Sequence, residues 1–245
     1  MTTLEGKIAL ITGGNSGLGY ATAKELMAQG AQVIITGRRK EAIEKAAAEL
    51  NATSFLADQA NPGDIENLAA SVRQQFGKID ILVVNAGISK LTTIENATEK
   101  LFDEVMDLNL KGTYFTLSRF IPLLNDGASV VLLSSSSASK SIPQTSIYAA
   151  SKVAVNAVMK IASVELAPRR IRVNSVSPGP FNTAIMEKTG LADPGMQDFI
   201  KAGVPLGRLG NPSEVGKLIG FLASDGAAFI TGAEYLVDGG QSLNK

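Results

Sequence analysis

Short apolar, β-branched runs alternate along this chain with longer segments of helical period. Lys7 to Thr12 (KIALIT) opens through GGNSGLG into YATAKELMAQG, an order that reads as strand, glycine turn and helix, with Gly30 as the helix stop. Gln32 to Thr36 (QVIIT) is a second strand and Lys40 to Leu50 a second helix, rich in Ala, Glu and Lys. Thr53 to Ala57 gives a third strand. Pro62 begins a helix that runs to Phe76, and Ile79 to Val84 (IDILVV) is the fourth strand. A long helical pattern then spans Thr98 to about Leu124, with Gly112 and Pro122 placed to bend or end it. Ala128 to Leu133 (ASVVLL) is a fifth strand, and a helix follows from about Ser146 to Ala167. Arg170 to Val176 is a sixth strand, Pro212 to Ser224 a helix, and Ala233 to Val237 a seventh strand.

Strands that are apolar almost throughout, alternating with helices, imply a parallel sheet covered on both faces. Right-handed crossovers make it a doubly wound, Rossmann-type α/β fold of about seven strands. No repeat, low-complexity tract or linker divides residues 1–245, so a single domain is expected. From Pro178 to about Asn211, Pro, Gly and scattered apolar residues replace strand regularity. A substrate lid is expected there, at about 180–210.

Composition narrows the chemistry. Basic and acidic residues are equal at 23 each, which gives nucleic acid or an anionic membrane nothing to attract. Cysteine and histidine are both absent, which removes thiol nucleophiles, Ser/His triads and the commonest metal ligands. Proton transfer is left to Tyr, Lys, Asp and Glu, and no metal site is expected. No stretch approaches the length of a membrane span, and the N-terminus lacks the basic segment and apolar core of a signal peptide, so the expected location is cytoplasmic.

Three sites along the chain carry candidate chemistry. The first is Thr12 to Gly19 (TGGNSGLG). Gly13, Gly17 and Gly19 permit a tight turn and close approach to a pyrophosphate, with Asn15, Ser16 and Leu18 between them and helix N–H groups behind. The second is the end of the second strand. Arg38 stands where an NAD site offers a carboxylate, so it suits a ribose 2′-phosphate and favours NADP(H), with NAD(H) the alternative. Asp58 and Gln59 after the third strand, and Asn85, Ala86 and Gly87 after the fourth, fall at the C-terminal strand ends where ligands sit, Asp58 able to accept from an adenine amine. The third is Tyr148 and Lys152. Four residues apart, they share a helix face, and an ammonium stabilises a phenolate whose reference pKa is about 10. Thirteen residues earlier, the hydroxyls of Ser134 to Ser137 end a strand, and spacing alone does not choose among them.

Together these residues resemble the short-chain dehydrogenase/reductase family, in its branch of about 250 residues, over essentially the whole chain. TGGNSGLG, VNAG at Val84 to Gly87, Asn109, Ser135, Tyr148 and Lys152 fall in family order. Val84 stands where the family's first Asn of NNAG would be. The resemblance implies that Tyr148 donates the proton in carbonyl reduction, Ser135 holds the substrate oxygen, and Lys152 lowers the Tyr pKa and binds the nicotinamide ribose. It implies that Asn109, at a helix distortion, holds a water through its backbone carbonyl. SPGPFNT, with Pro178, Gly179, Phe181 and Thr183, resembles the family's nicotinamide-contacting loop. Phe181, Ile185, Met186 and Leu191 resemble its variable lid, and Ser137, Ile142 and Gln144 are further pocket candidates. The implied activity is a carbonyl reductase acting on a small, moderately apolar ketone or alcohol. The alternatives are a 3-oxoacyl-[acyl-carrier-protein] reductase, for which Arg119, Arg169, Arg170 and Arg172 would have to gather beside the site, and a non-catalytic NADP-binding sensor. By the same resemblance the chain forms a homotetramer through its long helix and the Tyr148 helix, where Ala149, Ala150, Ala154 and Ala157 suit close pairing.

Overall fold

The computed structural model describes residues 4–182 and 193–243. Seven strands, β1 (Ile8–Thr12), β2 (Gln32–Gly37), β3 (Thr53–Leu56), β4 (Ile79–Val84), β5 (Leu124–Leu133), β6 (Arg172–Pro178) and β7 (Glu234–Val237), form one parallel sheet in the order β3-β2-β1-β4-β5-β6-β7. The helices are α1 (Gly17–Ala28), α2 (Lys40–Leu50), α3 (Pro62–Phe76), α4 (Glu99–Met106), α5 (Thr113–Phe120), α6 (Ser146–Glu165), α7 (Pro194–Ala202) and α8 (Pro212–Ala223). This is the doubly wound, Rossmann-type sheet. The chain order reverses between β1 and β4, which places a ligand crevice beyond their C-terminal ends.

Alternation along each strand divides the core in two. Ala9, Ile11, Val33, Ile35, Ile81 and Val83 face α1, α2 and α8, whereas Leu10, Ile34, Leu82, Val84, Val130 and Leu132 face α3, α5 and α6. Burial of each such Leu, Ile or Val contributes roughly 1.5–3 kcal/mol, so the sheet needs no polar pairing to hold it. Helix starts follow local chemistry. Asn61 accepts from the Gly63 amide with Pro62 in the first turn, and Asn211 and Glu214 form a capping box at α8.

Four expectations change. The long helix predicted from Thr98 to Leu124 is α4, a π-helical turn at Asp107–Gly112, α5 and a 3₁₀ turn at Ile121–Leu123, after which β5 starts at Leu124. Pro122, lacking an N–H, sits in that last turn, where the α-helix can no longer run. Arg170 is left-handed at φ 56°, which delays β6 to Arg172. The Pro178 to Asn211 segment contains α7, whose start is readable in Asp193-Pro194: Asp193 accepts from the Gly195 and Met196 amides. Finally, α6, at 20 residues, is long and apolar enough to cross a membrane, contrary to the sequence expectation. One side of it, including Ile147, Val155, Met159 and Ala162, is buried under the sheet, as in a core helix.

Candidate active site

The glycine turn is held from behind by the end of β4. Thr12 Oγ1 accepts from the amides of Asn85 and Ala86, both at 3.0 Å, while Asn85 Nδ2 donates to the carbonyls of Thr12 at 2.8 Å and Gly13 at 3.2 Å. These bonds join the two connections that leave the switch point. A β-carbon on Gly13, at φ 65°, would lie 3.0 Å from Asn85 Nδ2, and one on Gly19 would lie 2.3 Å from the Gly13 carbonyl oxygen. Gly17, at φ 56°, begins α1, and the N-cap Ser16 makes no side-chain capping bond. A cradle that side chains would fill, facing the positive end of a twelve-residue helix, fits the pyrophosphate of a dinucleotide. Leu18 instead packs on the core.

Where β2 ends, Gly37 leaves room for Asn15, whose Oδ1 would lie 3.0 Å from a β-carbon there. Beyond it Arg38 is exposed, with its guanidinium 4.0 Å from Asp58 Oδ2. Asp58 also accepts from the Ala60 amide. Gln59 turns inward. Its Nε2 donates to the carbonyls of Ala86 and Leu108.

The π-helical turn brings Asn109 into the site. Its Oδ1 accepts from the Ile88 amide and its Nδ2 donates to the Ile88 carbonyl, each at 2.9 Å, and Nδ2 also reaches Ser151 Oγ at 3.2 Å. Ser151 donates in turn to the Tyr148 carbonyl at 2.6 Å. Sequence reading missed Ser151, although its place three residues after Tyr148 on the same helix face was the available signal. Gly87 lies between the two halves: a β-carbon there would be 3.2 Å from Asn109 Oδ1 and 3.4 Å from Lys152 Nζ. The space opened by its missing side chain is therefore the approach of Asn109 and Lys152.

Of the four serines, the geometry separates three uses. Ser134 Oγ donates to the Lys152 carbonyl, and Ser135 Oγ accepts from the Ser137 amide. Ser136 is buried. Ser135 is the one that faces the Tyr148 hydroxyl, and its hydrogen bond pulls the phenol's pKa down against a larger rise caused by burial. The ring keeps some accessible surface, but the dense surroundings of the hydroxyl make burial the dominant effect. Lys152 is buried too, and burial lowers its ammonium to about 8. Its Nζ donates to the Leu133 carbonyl at 2.8 Å and lies 5.9 Å from the Tyr148 ring centre.

On the far side of the site, Pro178 ends β6. A β-carbon on Gly179 would lie 2.6 Å from Asp238 Cβ, so the turn closes directly on the end of β7. Phe181 is buried and bridges to Gly210. Lys140, past the serines, donates to the Gln241 carbonyl at 2.8 Å. Gln144 is left-handed at φ 68°, with its carbonyl accepting from the Thr92 amide, and both it and Ile142 are exposed. Thr183, Ile185, Met186 and Leu191 lie outside the described residues.

The four arginines do not gather at the site. Arg169, Arg170 and Arg172 lie at or before the start of β6, the end opposite Pro178. Arg169 binds Asp126 and the Ile121 carbonyl, Arg172 is buried against the Ser224 carbonyl, and Arg119 pairs with Glu66.

Comparison with known proteins gives one coherent picture. A family model described as enoyl-(acyl carrier protein) reductase matches residues 13–242. The dehydrogenase/reductase SDR family member 4 of Sus scrofa is 33% identical, over 97% of this chain and 88% of its own length. The NADP-dependent (R)-specific alcohol dehydrogenase of Lentilactobacillus kefiri is 33% identical, over 97% of both chains. A solved structure of the Pseudomonas aeruginosa RhlG/NADP active-site complex superposes with a TM-score of 0.93 at 30% identity, over 98% of both chains.

Proposed function

Since the chain belongs to the short-chain dehydrogenase/reductase family, we propose that it is a carbonyl reductase that interconverts a small ketone and its secondary alcohol, with Tyr148 as the acid and base. The observation that carries this reading is the meeting of Ser135, Tyr148, Lys152 and Asn109 at one end of the sheet, beside the glycine turn. When bound, a nicotinamide cofactor supplies the hydride. The glycine turn and α1 hold its pyrophosphate, and Lys152 and the Pro178 turn hold its reactive half. Ser135 donates to the substrate oxygen, and Tyr148 gives that oxygen its proton. Asn109 keeps a path open from Lys152 to solvent.

The test is loss of NADPH absorbance with a panel of ketones. Oxidation by none of them would return the chain to the class of non-catalytic binders. Within the active enzyme, Ser135→Ala should lower turnover far more than Ser134→Ala or Ser136→Ala, and equal losses would remove Ser135 from its role. Reduction of a carrier-bound thioester finds less support, because the arginines it would use lie at the other end of the sheet or are already engaged.

NADP(H) is the cofactor favoured by Arg38, which is exposed at the end of β2 with no carboxylate on that strand end to meet a ribose hydroxyl. The Lentilactobacillus relative is likewise NADP-dependent. Arg38→Leu is expected to raise the KM for NADPH roughly 10–100-fold, the size of a lost charge-assisted contact, and to leave that for NADH within about twofold. Parallel changes for both cofactors would contradict the assignment.

A homotetramer built through the long helix and α6 is supported by apolar residues left at the surface there: Phe102 and Tyr114 on one, Val153, Ile161 and Val164 on the other. Sedimentation is expected to give four chains. A monomer at micromolar concentration would refute it.

A further inference from the structure

Gln59 touches both halves of the site from beneath. It is 6% exposed, and its Nε2 donates to the carbonyl of Ala86 at 3.1 Å and to that of Leu108 at 3.2 Å. Ala86 belongs to the segment tied to Thr12, and Leu108 is the residue before Asn109 in the π-helical turn. The same turn closes on the Gln59 main chain. A β-carbon on Gly112 would lie 2.3 Å from the Gln59 carbonyl oxygen and 3.0 Å from its Cγ. Both partners of the amide nitrogen are carbonyl oxygens, which sets the orientation of the carboxamide and leaves Oε1 buried without a hydrogen-bond partner among the described residues. A buried polar side chain with one end unsatisfied is a poor choice for packing alone, since a Met or Leu would fill the space without that cost. A π-helical turn is intrinsically less regular than an α-helix and needs outside contacts to hold it.

Resting on the reaction proposed above, we infer that Gln59 is a positioning residue: its carboxamide pins the π-helical turn at Leu108 to Ala86, and so holds Asn109 beside Gly87 and Lys152. It acts through Asn109 and not on substrate. Its neighbour Asp58 faces Arg38, so the same short segment connects the cofactor-selecting end of the crevice to the proton-handling end.

Gln59→Met keeps the bulk and removes the donor. Its kcat should fall at least about tenfold while the KM values for ketone and NADPH stay within about twofold, and the pH at half-maximal kcat should move by about half a unit or more. In the protein without cofactor or substrate, amides 107–113 should exchange hydrogen about tenfold faster, with those of 146–165 unchanged. Gln59→Glu supplies a donor only when protonated, so its activity relative to the parent should rise as the pH is lowered from 8 to 5. It carries the test if the Met variant fails to fold. Unchanged kcat and exchange in Gln59→Met, or a loss of NADPH affinity with kcat and pH profile unmoved, would overturn the inference. The exchange experiment is independent of turnover. A parent protein that reduces no ketone would sink the proposed function, and the exchange would still decide whether Gln59 holds the turn.

Discussion

Tyr148→Phe is expected to give a folded protein that takes up NADPH normally and reduces ketones roughly 10³-fold more slowly. In the proposed reaction the Tyr148 hydroxyl gives the substrate oxygen its proton, and its hydrogen-bonding neighbour is Ser135. No histidine or cysteine exists anywhere in the chain to replace it. Lys152 is a poor substitute, because its Nζ donates to the Leu133 carbonyl and lies 5.9 Å from the centre of the Tyr148 ring. The substitution deletes one oxygen and keeps the ring's packing, so folding and cofactor binding should be spared. Absorbance of NADPH under saturating ketone gives the rate, and quenching or enhancement of its fluorescence gives the affinity. A Phe variant working at the parent rate would rule out Tyr148 as the acid.

Gly19→Ala is expected to be as damaging by another route, with NADPH affinity reduced more than about 100-fold and a protein less stable by about 3 kcal/mol. The added methyl group would stand 2.3 Å from the Gly13 carbonyl oxygen and 2.5 Å from Asn85 Nδ2. The first of these atoms is backbone in the very turn that must close, and the second is the amide that holds this turn to β4. Neither can retreat without opening the cradle. For a chain of this size the loss corresponds to a fall of roughly 6–12 °C in the unfolding midpoint, readable by calorimetry. A midpoint and an NADPH affinity equal to those of the parent would show that the turn tolerates the clash by moving as a unit.

Much of this architecture was readable from residue order. The strands β1, β2 and β4 announce themselves because both faces of a parallel sheet are covered, leaving few polar residues to interrupt the run. Tyr148 and Lys152 were visible by helical spacing alone. The choice of Ser135 was not, because four adjacent hydroxyls are equivalent until the backbone sends one to the Lys152 carbonyl and another to Tyr148. Asn109 was legible only through family likeness, since its place in the structure is fixed by contacts with Ile88 and Ser151, 21 and 42 residues away. Gln59 read as a cofactor contact beside Asp58, the candidate partner of an adenine amine. Nothing in the local sequence tells which way such a side chain turns, and the partner that decides it, Leu108, is 49 residues distant.

The wide turn at Asp107–Gly112 also works as a phase correction. Val105 and Phe120 are both fully buried, yet the fifteen steps from one to the other make about 4.2 turns of uniform α-helix, which would leave them about 60° apart around the axis. The surplus is absorbed in the π-helical stretch, so the inward stripe through Leu108, Gly112, Thr116 and Phe120 returns to its starting side. Removing a single residue from that stretch leaves fourteen steps, about 3.9 turns of uniform α-helix, which brings Phe120 to within about 40° of Val105 with no wide turn at all. The inward face of the helix therefore survives such a deletion, and what the extra residue provides is the bulge that carries Asn109 beside Gly87.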